Sequence, residues 1–198
     1  MKNIIKSKYF IICILLLGLI LRLISINQSL WLDESIGALV VKEQNYHQIL
    51  TQFPKSDNHP PLYYLTLKAW TDIFGYSEIS LRMPSVIFSV LTIWVTYLIG
   101  TYYSRGKKWK FAEVTALLIA TSQFSIYYSQ EARMYSLAAF LAAASFYFFL
   151  KGRWIMFSIL LTALVFTDYV TVFLLPVFWI YAFLKKRNRN WWIRFGYA

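Results

Sequence analysis

Two adjacent carboxylates, Asp33 and Glu34, stand just after an 18-residue apolar run from Tyr9 to Ile26. Ionisable groups at the edge of hydrocarbon are costly to keep there, and their default reading is functional. A carboxylate at the start of a helix is held ionised by the helix dipole, the state a general base needs. Asp33 therefore reads as a candidate base with Glu34 beside it. Neighbours on one helix point in different directions, so one acid faces a cavity and the other braces or binds. Asp33 also has a plainer reading, as an N-cap accepting from the first N–H groups of that helix.

Further polar groups follow at intervals. His59-Pro60-Pro61 opens a short apolar segment. Free N–H groups and a polar side chain at such a start make an anion site, or simply a turn capped by Asn58 or His59. Glu78 and Arg82 are spaced i,i+4 and predict a salt bridge at the start of a membrane span. Glu131 and Arg133 lie in Gln130-Glu131-Ala132-Arg133-Met134-Tyr135, a very short connection between two apolar runs. An unpaired charge there costs at worst about 2.5–3.5 kcal/mol, which Asp33 or a bound anion would offset. Asp168-Tyr169 interrupts the last apolar run. A divalent metal between Asp33 and Glu131 stays open, although two carboxylates are fewer ligands than such a cation takes.

The elements that must position these groups are membrane helices. The chain is 59% hydrophobic and 20% aromatic, with a mean hydropathy of +0.50. Its net charge of +11 does not indicate nucleic acid, because the basic residues form short clusters between apolar runs. The single cysteine, Cys13, excludes an intramolecular disulfide. Lys2, Lys6 and Lys8 before Tyr9–Ile26, with no small-residue cleavage site, read as an uncleaved signal anchor.

A span needs about 20 residues. The spans expected are Tyr9–Ile26, Pro84–Ser104, Phe111–Tyr128 and Met134–Leu150, with the 31-residue run Trp154–Leu184 folding as a hairpin that turns near Asp168. The fold class is thus all-α: a polytopic helical membrane protein of about six spans, forming a single domain over 1–198. With the N-terminus cytoplasmic, 14 of the 20 Lys and Arg fall on the cytoplasmic side with one acid, Glu113. The remaining six fall on the outer side with the other eight of the nine acids. The outer loop, 27–83, carries juxtamembrane helices: an amphipathic one over Glu34–Phe53, and an interfacial or re-entrant one over Pro61–Phe74.

The order of these motifs resembles a known family. Asp33-Glu34 after the first span is followed by His59-Pro60-Pro61-Leu62-Tyr63-Tyr64, Phe74-Gly75, Ser80-Leu81-Arg82-Met83-Pro84-Ser85 and Tyr128-Ser129-Gln130-Glu131-Ala132-Arg133-Met134-Tyr135. Together they resemble lipid-phosphate-sugar-dependent glycosyltransferases of the GT-C fold, nearest to the protein O-mannosyltransferase and aminoarabinose-transferase group.

The resemblance covers roughly residues 20 to 185 and implies that Asp33 is the catalytic carboxylate, with Glu34 beside it. It places the Pro-Pro segment near a donor lipid phosphate. His59 stands where the aminoarabinose branch often has lysine, and Asp168 where relatives often have histidine. The implied reaction moves a sugar from a polyprenyl-phosphate donor to a glycan, lipid or protein acceptor at the outer face of the plasma membrane. Arg82, Arg133 or His59 would hold the phosphate, with Glu131, Tyr135 and Asp168 completing the substrate site. Family members are longer, so the resemblance also implies that this is the N-terminal part of a longer protein, with activity in isolation an open question. The alternatives are a non-catalytic membrane module, such as a lipid-glycan flippase component, and an inactive fragment.

Overall fold

The computed structural model describes residues 2–56, 59–104, 111–185 and 189–196, with backbone only at 2–8, 56, 189–190 and 193–194. The basic cluster 105–110, the candidate cap Asn58 and most of the cluster after Leu184 lie outside the described residues. The described residues form helices joined by turns and short loops, without strands. In order they form α1 (Lys2–Leu23), α2 (Leu32–Glu43), α3 (Tyr46–Thr51), α4 (Phe53–Ser56), α5 (Leu62–Phe74) and α6 (Glu78–Tyr103). Then come α7 (Phe111–Thr121), α8 (Gln123–Ser129), α9 (Tyr135–Lys151), α10 (Trp154–Val165), α11 (Leu174–Leu184) and α12 (Arg189–Gly196), with a 3-10 turn over Tyr169–Phe173 before α11.

Among the described residues, α6 alone is long and apolar enough to cross a bilayer unaided. The other apolar helices, Tyr9–Leu23, Phe111–Thr121, Tyr135–Lys151, Trp154–Val165 and Tyr169–Leu184, have 10–17 residues. The stretch Phe111–Tyr128, expected as one span, is broken at Ser122. That residue accepts from the Ser125 N–H and starts α8. The expected amphipathic helix over Glu34–Phe53 is also broken. Asn45 and Gln48 exchange side-chain-to-backbone hydrogen bonds at 2.9 Å, a capping box that begins α3 afresh.

α6 begins six residues before the expected Pro84, capped by Ser77. Near its far end α6 approaches α7 closely. A Cβ on Gly100 would lie 2.5 Å from the Ala112 Cα, so only glycine fits this crossing. Gly152 ends α9 in the left-handed conformation, φ 64°, which glycine adopts without strain.

The molecule has two chemically distinct ends. At one end Tyr103 and Tyr181 share a hydrogen bond of 2.9 Å, within an aromatic cluster with Phe149, Phe157 and Phe178. The chain enters and leaves this end at Lys151, Trp154 and Lys185. At the other end α2, α3 and α5 pack Val41, Ile49, Tyr64 and Leu67 against Leu81, Met134 and Leu164 of the bundle. The turn after α10 reaches this second end, where Phe166 accepts from the Leu62 N–H at 3.1 Å. α10 and α11 are therefore the two arms of a hairpin, with Phe157 and Phe178 in ring contact at 5.1 Å.

Candidate active site

α2 starts after Trp31, which occupies the N-cap position. Asp33 is the second residue of the helix, so it is not the cap that its position suggested. Glu34 fills the capping role instead, its Oε2 accepting from the Trp31 N–H at 3.3 Å.

The Glu34 carboxylate is fully buried. Arg82 grips it with two donors, Nε to Oε1 at 2.9 Å and Nη2 to Oε2 at 2.6 Å. The Ala132 N–H donates to Oε1 at 2.7 Å. Burial pushes this carboxyl up, but the Arg82 hydrogen bonds, with those from Ala132 and Trp31, outweigh it and hold Glu34 below the ordinary glutamate range.

Arg82 has no donor left over. Its Nη1 donates to the Ile26 and Gln28 carbonyls at 2.9 and 2.6 Å, and Nη2 also to the Ser29 carbonyl at 3.2 Å. All five N–H groups of a guanidinium are then satisfied within the chain. The expected local pair with Glu78 gives way to Glu34, 48 residues distant, because a buried carboxylate needs the cation more than an exposed one does.

The second acid is arranged differently. The Asp33 carboxylate is 41% exposed, and its nearest cation, Arg133 Nη2, lies 3.8 Å from Oδ2. That is an ion pair without a direct hydrogen bond. The same Nη2 lies 3.5 Å from His59 Nε2, and the guanidinium sits 5.9 Å from the Tyr135 ring centroid. Arg133 is 7% exposed, and its buried Nε has no hydrogen-bond partner among the described residues. His59 does not cap α5; that position falls to Pro61.

Asp33, His59, Arg133 and Tyr135 are thus brought together. Glu131 is buried on the same short connection, where burial raises its carboxyl above the ordinary range and a hydrogen bond from Tyr127 partly offsets that. Asp168 is spent on its own turn, with Oδ1 accepting from the Val170 N–H at 3.0 Å. Among the described residues no three His, Cys, Asp or Glu side chains gather as metal ligands. Asp33 and Glu131 have, among the described residues, no further carboxylates to make up the oxygen set a hard divalent cation takes.

Sequence reasoning missed Arg22, which is fully buried beneath this site, and the groove beside Tyr135. The groove has a volume of ≈ 260 Å3 and is lined by Ser89, Thr92, Ser125, Tyr128, Tyr135 and Ser136 among others. The position of Arg22 at the end of an apolar run was the only signal for the first.

The profile of the dolichyl-phosphate-mannose-protein mannosyltransferase family matches residues 58–197. The chain belongs to that family. The match takes in His59, Arg82, Glu131, Arg133, Tyr135 and Asp168, and begins after Asp33 and Glu34. No curated protein and no solved structure matches the chain. Dolichyl-phosphate-mannose-protein mannosyltransferases are membrane glycosyltransferases of the GT-C type, which fits the all-helical architecture and the apolar α6. The buried arginine-carboxylate pair of this member therefore joins the matched segment, through Arg82, to the acids that precede it.

Proposed function

We propose that the protein transfers a sugar from a polyprenyl-phosphate donor to an acceptor hydroxyl at the end of the bundle that carries Asp33. The observation that carries this reading is the contrast between two arginine-carboxylate pairs. Glu34–Arg82 is closed, with every guanidinium donor used. Asp33–Arg133 is open, with an exposed carboxylate, a 3.8 Å gap and a vacant Nε donor.

Asp33 orients the acceptor hydroxyl and takes its proton as the oxygen attacks the anomeric carbon. The bond from that carbon to the phosphate oxygen breaks, and polyprenyl phosphate leaves with the electron pair. Arg133, whose planar fork suits phosphate oxygens, stabilises the leaving charge beside His59. Arg82 acts through Glu34, which fixes α2 and the Ala132 N–H and so sets the gap between Asp33 and Arg133. Tyr135 packs on Arg133 and restricts its swing.

Asp33, Glu34 and Glu131 share one end of the bundle, as an outer-face catalytic site requires, whereas a transport path would distribute its acids along the spans. We assign six crossings with the N-terminus cytoplasmic, the shorter apolar helices spanning with the help of their flanking turns. The acceptor, whether glycan, lipid or protein, would approach from outside.

The test uses membranes holding the full-length protein and a labelled polyprenyl-phosphate sugar. Asp33→Asn is expected to lower turnover about 10²–10⁴-fold, the usual worth of a general base. It should still fold and insert, because Asp33 caps nothing and asparagine keeps its shape, so the loss of turnover exceeds any loss of folded protein. Arg133→Lys is expected to lower turnover while folding normally. Wild-type turnover in Asp33→Asn would remove the catalytic assignment. Absence of turnover in the wild type with any such donor would favour the non-catalytic module.

A further inference from the structure

We propose that Arg22, outside the reacting centre, is a positioning residue that sets the connection Glu131-Ala132-Arg133 by anchoring a deliberate break between α7 and α8. Arg22 is fully buried near the end of α1. Its five N–H donors meet five neutral oxygens. Nε donates to Ser89 Oγ at 2.7 Å, and Nη1 to the Gly18 and Ala120 carbonyls, both at 3.0 Å. Nη2 donates to the Ile119 carbonyl at 3.2 Å and to Ser125 Oγ at 2.6 Å.

Ile119 and Ala120 belong to the last turn of α7, whose carbonyls have no partner further along that helix. A cation there also meets the negative end of the helix dipole. Arg22 thus satisfies the end of α7 while holding Ser125 in the first turn of α8. The break is thereby stable within an apolar bundle, where unpaired backbone groups are costly.

The consequence runs directly to the site. α8 leaves the break at a fixed angle and ends at Gln130, whose Nε2 donates to the Leu21 and Ile24 carbonyls at 3.3 and 2.7 Å. α1 therefore holds α8 at both ends, by Arg22 and by Gln130. The next residues are Glu131, Ala132, which donates to Glu34, and Arg133, which faces Asp33. The groove lined by Ser89, Ser125 and Tyr135 follows the same seam. With the α1 anchor gone, α8 can drift and carry Arg133 away from Asp33.

The kinetic arm of the test rests on the glycosyltransferase reading; the second arm does not. Arg22→Lys keeps the charge but replaces a planar five-donor fork with a single ammonium. In the full-length protein we expect it to insert and elute as the wild type does. Its kcat should fall about 10- to 100-fold with the acceptor KM unchanged, since small misplacements of a reacting group have effects of this size. If Arg22→Lys yields no folded protein, Ser125→Ala and Gln130→Leu each remove one strut, and each should lower kcat at constant acceptor KM. Wild-type kcat in these variants overturns the proposal, and so does a fall that matches the loss of folded protein.

The second arm measures the distance between spin labels at Leu32→Cys on α2 and Phe124→Cys on α8, in a Cys13→Ser background. Both positions are exposed. A narrow distribution that broadens in Arg22→Lys supports the anchor, and an unchanged one overturns it. A protein that transfers no sugar but shows the broadening loses its proposed function and keeps this positioning role.

Discussion

Glu34 and Asp33 are neighbours in sequence and opposites in environment, and each environment has a measurable signature. Replacing Glu34 with alanine leaves the Arg82 charge buried without its counter-ion. Breaking such a pair costs about 3–5 kcal/mol, which should appear as a large drop in thermal stability in detergent. The pH dependence follows from the direction of each shift. Glu34 is held below the ordinary glutamate range, so its stabilisation is complete above that range and is lost as pH falls through the lower folded value. Glu131 is raised by burial, so its unfavourable charged form appears as pH rises past the ordinary range and through the higher folded value. Unfolding scans across pH should therefore show an acid-side fall that disappears in Glu34→Gln. They should also show a fall on the other flank that disappears in Glu131→Gln. Unaltered flanks in both variants would contradict the roles assigned to these two carboxyls.

Among the elements, the sharpest constraint is the crossing of α6 and α7. A side chain at Gly100 would meet the Ala112 backbone, which cannot swing aside as a side-chain tip can. Gly100→Val is expected to destabilise by about 1–3 kcal/mol, the usual range for overpacking, with melting temperature as the readout. A neutral effect would mean that the two helices separate easily. The elements also show what the sequence could and could not reveal. α9 starts and ends within one residue of the span read from apolar residues alone, because Met134 and Gly152 bound a continuous run. The Asn45–Gln48 capping box was legible too, from polar residues three apart, but the apolar stripe over Glu34–Phe53 hid it. The break at Ser122 was not legible, since its stabilising donor is Arg22, 98 residues from Ala120 in the chain. For the same reason spacing alone pairs Arg82 with nearby Glu78. Spacing along a helix identifies local partners, whereas burial selects distant ones.

At the scale of the whole molecule, Asp33, Glu34 and Glu131 sit at one end of the bundle and Lys151 and Lys185 at the other, and that arrangement predicts sidedness. Cysteines at Ile73 and Tyr169, both exposed near the acidic end, should react in intact cells with an impermeant thiol reagent on a Cys13→Ser background. A cysteine at Lys185, exposed at the other end, should react only after the membrane is opened. Outside labelling of Lys185→Cys would invert the orientation and move the site to the cytoplasm. Tyr169 tests the hairpin as well, since one long tilted helix over 154–184 would leave it shielded. Charge counting assigns the two ends to opposite faces of the membrane, an expectation that this labelling tests. The packing of α2, α3 and α5 onto the bundle was not legible in the sequence, because an amphipathic stripe does not say whether protein or lipid covers it.

The Glu34 carboxylate also imposes an order of events during synthesis. Beyond the Trp31 N–H, its partners are 48 and 98 residues further along the chain, at Arg82 and Ala132. At about 5–20 residues per second, Arg82 follows Glu34 by roughly 2–10 s and Ala132 by roughly 5–20 s. During that interval α1 and α2 exist without their cation. Until α6 arrives, Glu34 has only the Trp31 N–H as a partner, and a carboxylate without its cation is less costly in water than in an apolar interior. It can be drawn inward only when α6 arrives, and the Arg82 pairing precedes that with Ala132. A chain that ended before residue 82 would carry its most buried acid without the cation that makes burial tolerable.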